Sequence, residues 1–436
     1  MQPWIDRDMA VNWHPYSQMK TSQHVPIVRG NGAYLYDANG DRYLDMICSW
    51  WVTLHGHAHP YIARRVYQQL QTLEQVIFAG FTHPGAIRLS ERLLGLLPEN
   101  QTKVFYTDNG STAVEVALKM CVQYGHNRGI KKTKILAFKD GYHGDTFGAM
   151  SVSERGQWTA PFSDMLFEVV FIEPPTAENF VENIRILEKH AAELACFIYE
   201  PLVQGSGGMR MHQAGELSRL MRRCRELGVF MIQDEVFVGF GRTGRLFAAD
   251  YLNESPDLMC FSKGLTGGTM PLGITTCTEQ IYAAFYHDDK MRALFHGHSF
   301  TASPVACAAA LASLDILLTV ETQTRIQQIS DRHRDFVDVL KKIPGVENPR
   351  SIGTLLALDW VGQEKTGYFS PFADWFSREA LARQVLLRPL GNVLYVLPPY
   401  CITDDQLTRT YQVILELLKE RSRQERRDEC DAGSVE

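Results

Sequence analysis

Three apolar runs in this 436-residue chain each end in groups suited to chemistry. Lys263 follows LMCFS and precedes GLTGG. An ammonium held there is partly desolvated, which lowers its pKa and makes it a nucleophile toward a carbonyl. A lysine that snorkels to the surface fits the same letters. Asp234, followed by Glu235, closes GVFMIQ. A carboxylate after so apolar a stretch needs a partner to offset its burial, whether as a functional acid, a cap or a structural ion pair. Asp108-Asn109-Gly110-Ser111-Thr112 joins a third run to AVEVALKMCVQYG. First-turn amides and the positive end of a helix dipole then face the terminus of that run and make a phosphate seat. Ser111 alone would serve equally well as an N-cap.

Together the three groups interlock. A phosphate seat, an acid and a lysine at neighbouring strand ends are the parts that pyridoxal 5′-phosphate requires. The seat anchors the phosphate, the lysine holds the aldehyde as an imine, and the acid keeps the ring nitrogen protonated. Other groups carry less. His55, His57 and His59 resemble a metal cluster, but alternation along an extended segment separates neighbouring imidazoles, and no Cys or carboxylate set accompanies them. No metal is expected. Tyr142-His143-Gly144-Asp145 offers a ring to stack on a cofactor, or merely a turn. GFGRTG at 239–244 lacks the glycine spacing of a dinucleotide loop. Arg388 is suited to a bidentate grip on a substrate carboxylate, or to a surface ion pair.

The elements that must position these groups are short apolar runs alternating with helical patterns. Strands are expected at 103–108, 134–140, 167–174, 195–201, 228–236, 258–263 and 272–278. The spacing of Ile62, Val66, Leu70, Leu73 and Ile77 predicts one helical stripe over 61–77. This alternation predicts an α/β fold, a mostly parallel sheet sandwiched by helices, with ligands gathered at the carboxyl ends of its strands. From about 321 the texture changes to helix, strands and helix, the mark of a smaller α+β domain. The expected division is 1–54 as an N-terminal segment, 55–320 as a large domain and 321–436 as a small one. Thr403 and Gln406 stand at capping-box spacing before Leu407, Tyr411, Ile414 and Leu418, so a last helix starts there. The charged tail after about 421 is expected to fray. Trp4, Trp13, Tyr16, Trp50 and Trp51 make the first 50 residues too aromatic for a loose arm. They should pack over a pocket or a partner subunit.

Composition excludes other classes. Hydrophobic residues make up 45% and charged residues 22%, which rules out a disordered, collagen-like or disulfide-scaffold chain. The formal net charge of −6 gives no electrostatic case for nucleic acid or an anionic membrane. No run of 18 apolar residues predicts a membrane span, and the opening MQPWIDRDMAVNWHP lacks a signal pattern, so a cytoplasmic location is expected. Nine scattered cysteines, none in a CxxC pair, read as small buried hydrophobes.

IQDEVFVGFGRTG followed by FSKGLTGG, with Asp234 and Lys263 at their family spacing, resembles the class III, ornithine-type pyridoxal-phosphate aminotransferases. The similarity runs from His14-Pro15-Tyr16 to LPPY at 397–400. Ser49-Trp50-Trp51, GYHGDTFGAMSV (141–152), VQGSGGMRM (203–211), HGHSF (296–300) and RPLGNVLYVLPPY (388–400) point to the biotin-pathway branch of that family.

The resemblance implies a fold type I transferase acting as a homodimer with shared active sites. Lys263 would hold the cofactor and shuttle the proton, and Asp234 would pair with the ring nitrogen. Gly110 and Ser111 would bind the phosphate, and Tyr142 would stack on the ring. His298 and Ser299 would reach the phosphate of the neighbouring subunit. Trp50, Tyr142, Gly297 and Arg388 would line the substrate site, with Arg388 on the carboxylate of 8-amino-7-oxononanoate, while Tyr16 would help bind the amino donor. S-adenosylmethionine is the implied donor and lysine the alternative. Ser299 replaces the family's usual Thr, Ala302-Ser303-Pro304 departs from the usual Gly-Asn-Pro or Gly-His-Pro, and Phe237 replaces a Gln that bonds the cofactor's phenolic oxygen. The last change argues against ornithine or 4-aminobutyrate as substrate. Another ω-aminotransferase, a cofactor-binding module without catalysis and a nicotinamide dehydrogenase are the rival readings. The last is disfavoured because no GxGxxG opens a helix after the first strand.

Overall fold

The computed structural model describes residues 1–361 and 370–432. The chain forms two compact units. One comprises Tyr61–Arg334 and Arg350–Leu355; the other comprises Met1–Pro60, Asp335–Pro349 and Leu356–Glu436.

All seven expected strands form, and they make one sheet in the first unit. In chain order they are β1 (Gln101–Thr107), β2 (Lys134–Phe138), β3 (Val169–Ile172), β4 (Leu194–Tyr199), β5 (Phe230–Asp234), β6 (Leu258–Phe261) and β7 (Gly273–Thr278). The spatial order is β1-β7-β6-β5-β4-β2-β3. The β6-β5-β4-β2-β3 pairs are parallel. β7 alone runs antiparallel, against β6 on one side and β1 on the other. Every residue of β4 is buried, as a parallel strand covered on both faces must be. One face packs Ile135, Cys196, Ile198, Ile232 and Cys260 against the helix Gly110–Arg128. The other packs Leu136, Phe197, Tyr199 and Met231 against Leu217, Leu220 and Met221 of the helix Ala214–Glu226.

Two expectations need correction. The helical stripe over 61–77 stops early: the helix is Pro60–Leu70, Ile62 is buried, and Leu70 and Ile77 are more than half exposed. The tail does not fray at 421. Its helix runs Asp404–Ala432, and the Glu425 carboxylate accepts from both Trp360 Nε1 (3.1 Å) and Arg421 Nε (2.8 Å). The expected start of this helix is correct, since Thr403 and Gln406 exchange amide and side-chain bonds of 2.9 and 3.3 Å. Within the second unit, Phe336 stacks on Tyr411 at 4.0 Å, and residues 356–359 pair antiparallel with Val393–Val396. The strands Ile27–Asn31, Tyr34–Asp37, Arg42–Asp45 and Val385–Leu386 form a separate sheet.

The N-terminal helix Gln2–Val11 buries none of its residues, and Trp13 is 89% exposed. Of the five early aromatics only Trp51 is buried within the chain. Among the described residues no single helix is long and apolar enough to cross a membrane.

Candidate active site

Five strands deliver the chemistry at one edge of the sheet. β1 leads into Asp108–Thr112, β2 into Gly141–Gly144, β4 into Glu200, β5 ends on Asp234, and β6 is followed by Lys263. Parallel strands place their carboxyl ends together, so residues distant in sequence meet there.

The seat after β1 has an assignable cap. Asn109, not Ser111, is the N-cap of Gly110–Arg128: its side chain accepts from Thr112 N at 3.0 Å, and Thr112 Oγ1 accepts from Asn109 N at 3.2 Å. The cap therefore leaves the Ser111 hydroxyl and the amides of Gly110 and Ser111 outside the helical ladder. Neighbouring backbone and side chains approach them closely. A Cβ on Gly144 would lie 1.9 Å from Ser111 Oγ, and one on Gly110 would lie 2.8 Å from Val236. Ala113 O, one turn in, accepts from Thr275 Oγ1 at 2.7 Å, which pins the helix start to β7.

Asp234 is 4% exposed, and its two oxygens are engaged: Oδ2 lies 2.7 Å from His143 Nδ1, and Oδ1 accepts from Val236 N at 3.0 Å. Its neighbour Glu235 turns away. It accepts from Ala248 N, Ala249 N and Gln233 Nε2 at 2.7–3.1 Å, a structural cap of the short turn Ala248–Tyr251. Burial pushes the Glu235 carboxyl up to about 7. The alternation of side chains along the strand end gives Asp234 and Glu235 different directions and different partners.

Lys263 follows β6 with φ +44, a left-handed backbone uncommon for a lysine. Burial lowers its ammonium to about 8, with Asp234 and Glu200 opposing and Arg242 reinforcing the shift. Phe237 places its ring 5.5 Å from Lys263 Nζ and against Gly205, where an added Cβ would meet the ring at 2.9 Å.

Glu200 and His143 belong to the site although the sequence reading gave neither a role of its own. Glu200 Oε2 accepts from Tyr142 N at 3.0 Å and Oε1 from Gly205 N at 2.9 Å, fixing the loop that carries Tyr142. Burial pushes its carboxyl up to about 7, with His143 opposing and Asp234 reinforcing. The signal was present: ACFIYEP ends in an acid as GVFMIQD does.

Gly297, His298 and Ser299 sit on a loop held by Lys119 and Gln75. His296 Nδ1 is 3.1 Å from Lys119 Nζ, and the His296 ring meets Phe105. Ser299 O accepts from Gln75 Nε2 at 2.6 Å. Lys119 is eight residues beyond Ser111 on one helix, about 12 Å at 1.5 Å per residue.

In the second unit Tyr16, Trp50 and Arg388 form a cluster. The Arg388 guanidinium lies 5.0 Å over the Trp50 ring, and Tyr16 meets that ring edge-on at 5.6 Å. The structure resolves the histidine series without a shared centre: His57 bonds Asp45 at 2.9 Å, while the His55 and His59 rings meet at 6.3 Å. Asp8, His14 and His24 bring ligand atoms within 4.8 Å of one another, but the two rings are stacked at 19°, so their in-plane lone pairs run side by side instead of converging.

These residues fit pyridoxal phosphate. The site offers first-turn amides, the Ser111 hydroxyl, which accepts from Asp145 N at 3.3 Å where a Cβ at Gly144 would intrude, a lysine with a lowered pKa, and a buried carboxylate on the next strand.

Comparison with known proteins agrees. The aminotransferase class-III family model matches residues 16–418. An adenosylmethionine-8-amino-7-oxononanoate aminotransferase of Synechococcus elongatus is 46% identical over 94% of this chain and 98% of its own length. The crystal structure of the Methanocaldococcus jannaschii enzyme of the same name superposes with a TM-score of 0.92 at 35% identity, covering 96% of this chain and 99% of that one. An amine transaminase from an uncultivated Pseudomonas species, in its pyridoxal-phosphate-bound form, gives 0.87 at 29% identity, covering 94% and 98%.

Proposed function

The chain belongs to the class-III aminotransferases, and from that membership we propose that it is the aminotransferase of biotin biosynthesis that converts 8-amino-7-oxononanoate to 7,8-diaminononanoate. S-adenosylmethionine is the proposed amino donor. The single observation that carries the substrate assignment is the Arg388–Trp50–Tyr16 cluster: an aromatic wall for an alkyl chain beside a guanidinium for its carboxylate.

Bound pyridoxal phosphate supplies an aldehyde that accepts the amino group and a ring that takes up electron density. Gly110 and Ser111 would bind the phosphate through helix-terminal amides and hydroxyl, and Tyr142 would stack on the ring. Asp234, braced by His143, holds a proton at the ring nitrogen. Lys263 would hold the aldehyde carbon and its amine would move a proton at the substrate carbon. Its lowered pKa keeps a usable fraction of that amine neutral near physiological pH. Phe237 shields Nζ from water on one side.

The active form in this reading is a cytoplasmic homodimer. Because the His296–Phe300 loop is anchored beside Lys119 of its own chain, Gly297, His298 and Ser299 are proposed to complete the partner's site instead. The exposed Phe295 and Phe300, at 69% and 65%, supply apolar area for that contact.

The test is turnover of the purified enzyme with the keto acid against a panel of amino donors. Diaminononanoate formed with S-adenosylmethionine supports the reading, and formation with lysine alone reassigns the donor. Turnover of ornithine or 4-aminobutyrate as donor to a 2-oxo acid, with no amination of 8-amino-7-oxononanoate, refutes it. Lys263→Ala should abolish both product formation and the visible absorbance of the bound cofactor.

A further inference from the structure

Two adjacent tryptophans take opposite fates. Trp51 is 4% exposed and donates from Nε1 to Tyr395 OH at 3.0 Å, whereas Trp50 is 41% exposed beneath Arg388 and beside Tyr16. An ordinary helix or strand does not produce this split together with so tight a return. Here it comes from backbone in the left-handed region at Cys48 (φ +50), Ser49 (φ +60, ψ −91) and Trp51 (φ +66), conformations that non-glycine residues adopt only when their surroundings enforce them.

The enforcing group is Asp45, the fully buried last residue of the strand Arg42–Asp45. Its Oδ1 accepts from Ile47 N at 3.1 Å and its Oδ2 from Ser49 N at 2.6 Å, so one carboxylate folds the turn over itself. His57 Nε2 stands 2.9 Å from the same Oδ2. His57 cannot drift, because its backbone exchanges two bonds with Gly32, of 2.7 and 3.1 Å. Gly30 is bare where it passes: a Cβ there would lie 2.6 Å from His57 Cβ. A buried carboxylate carrying three donors is oriented in a way that two amides alone would not achieve.

We propose that His57 and Asp45 are positioning residues for the acceptor substrate: the His57–Asp45 pair locks the strained Cys48–Trp51 turn and thereby sets the plane of Trp50 against Arg388. The pair touches neither cofactor nor substrate and acts through Trp50. This rests on the reading of Trp50 and Arg388 as acceptor-binding groups.

The experiment compares wild type, His57→Ala, His57→Gln and Asp45→Asn as holoenzymes. His57→Ala should raise KM for 8-amino-7-oxononanoate roughly tenfold, the cost of one charge-assisted bond, with kcat and KM for the amino donor within about twofold. His57→Gln, which keeps an N–H donor, should recover most of that loss, and Asp45→Asn should exceed it. A second readout needs no turnover: iodide quenching of the fluorescence component that Trp50→Phe removes should increase at least about twofold in His57→Ala. An acceptor KM within twofold of wild type in His57→Ala, with Trp50 quenching unchanged, overturns the proposal. So does a loss of kcat that follows the melting temperature and is not rescued by Gln. If the wild type itself does not use this keto acid, the substrate reading fails while the quenching comparison still decides whether the pair fixes Trp50.

Discussion

His143 Nδ1 lies 2.7 Å from Asp234 Oδ2, both side chains almost wholly removed from solvent, and it joins the loop after β2 to the end of β5. The His143 backbone N–H is itself held by Ser153 Oγ at 2.9 Å, so the imidazole approaches the carboxylate from a fixed direction. Asp234 can then present one defined face to a ring nitrogen, and the imidazole offsets part of the cost of burying its charge.

Removing that brace should loosen the orientation of Asp234 without removing its carboxylate. His143→Ala is expected to lower kcat by about 10- to 100-fold, the size expected for losing a partner that orients a functional group. It should also speed cofactor loss on dialysis. Unchanged kcat with normal cofactor retention would show that Asp234 needs no such support.

The neutral fraction of Lys263 sets how fast the apoenzyme captures pyridoxal phosphate. Because burial lowers the ammonium to about 8, the reactive amine grows as pH rises through 8, not through the ordinary lysine range above 10. Capture rates measured by stopped-flow absorbance between pH 6 and 10 should therefore level off above about 9. A rate that keeps rising tenfold per pH unit to pH 10 would contradict the shift.

Gly144 is needed for two reasons. Its φ is +135°, and a Cβ would sit 1.9 Å from Ser111 Oγ. Gly144→Ala should cost roughly 1–3 kcal/mol of stability and displace Ser111 from the phosphate seat. The expected outcome is a folded protein, by far-ultraviolet circular dichroism, that loses cofactor on gel filtration. Retention of full occupancy would place the phosphate elsewhere.

Glu235 gives a stability effect with a definite sign. Its folded pKa, about 7, is raised above the ordinary glutamate value, so the folded state binds its proton more tightly than the unfolded chain. That contribution is complete below about pH 4.5 and disappears as pH rises through 7. The melting-temperature advantage of wild type over Glu235→Gln should shrink from pH 5 to pH 8. A difference that is flat or grows with pH would show that the three donors around the carboxylate outweigh its burial.

The seven strands, their carboxyl-end polar groups and the capping box at Thr403 were all legible in the sequence, because apolar runs and the residues that end them are local signals. Local spacing also selected Asp234, Lys263 and Gly110-Ser111, and the motifs around them implied the cofactor. What the letters left open depended on contacts between distant segments. Whether Ser111 or Asn109 caps the helix, and which of Asp234 and Glu235 faces the site, follow from backbone direction at a strand end. The parts played by Glu200 and His143 arise where three strands meet, and the use of His57 depends on its bridge to Gly32. The helical stripe over 61–77 shows the converse: periodicity supplied an apolar face past Leu70, but the helix ends at Leu70, with Leu70 and Ile77 left more than half exposed. Hydrophobic pattern is written residue by residue and fixes which elements form, whereas burial, pKa and hydrogen-bond partners belong to the assembled chain, since each depends on what the fold brings within a few ångströms.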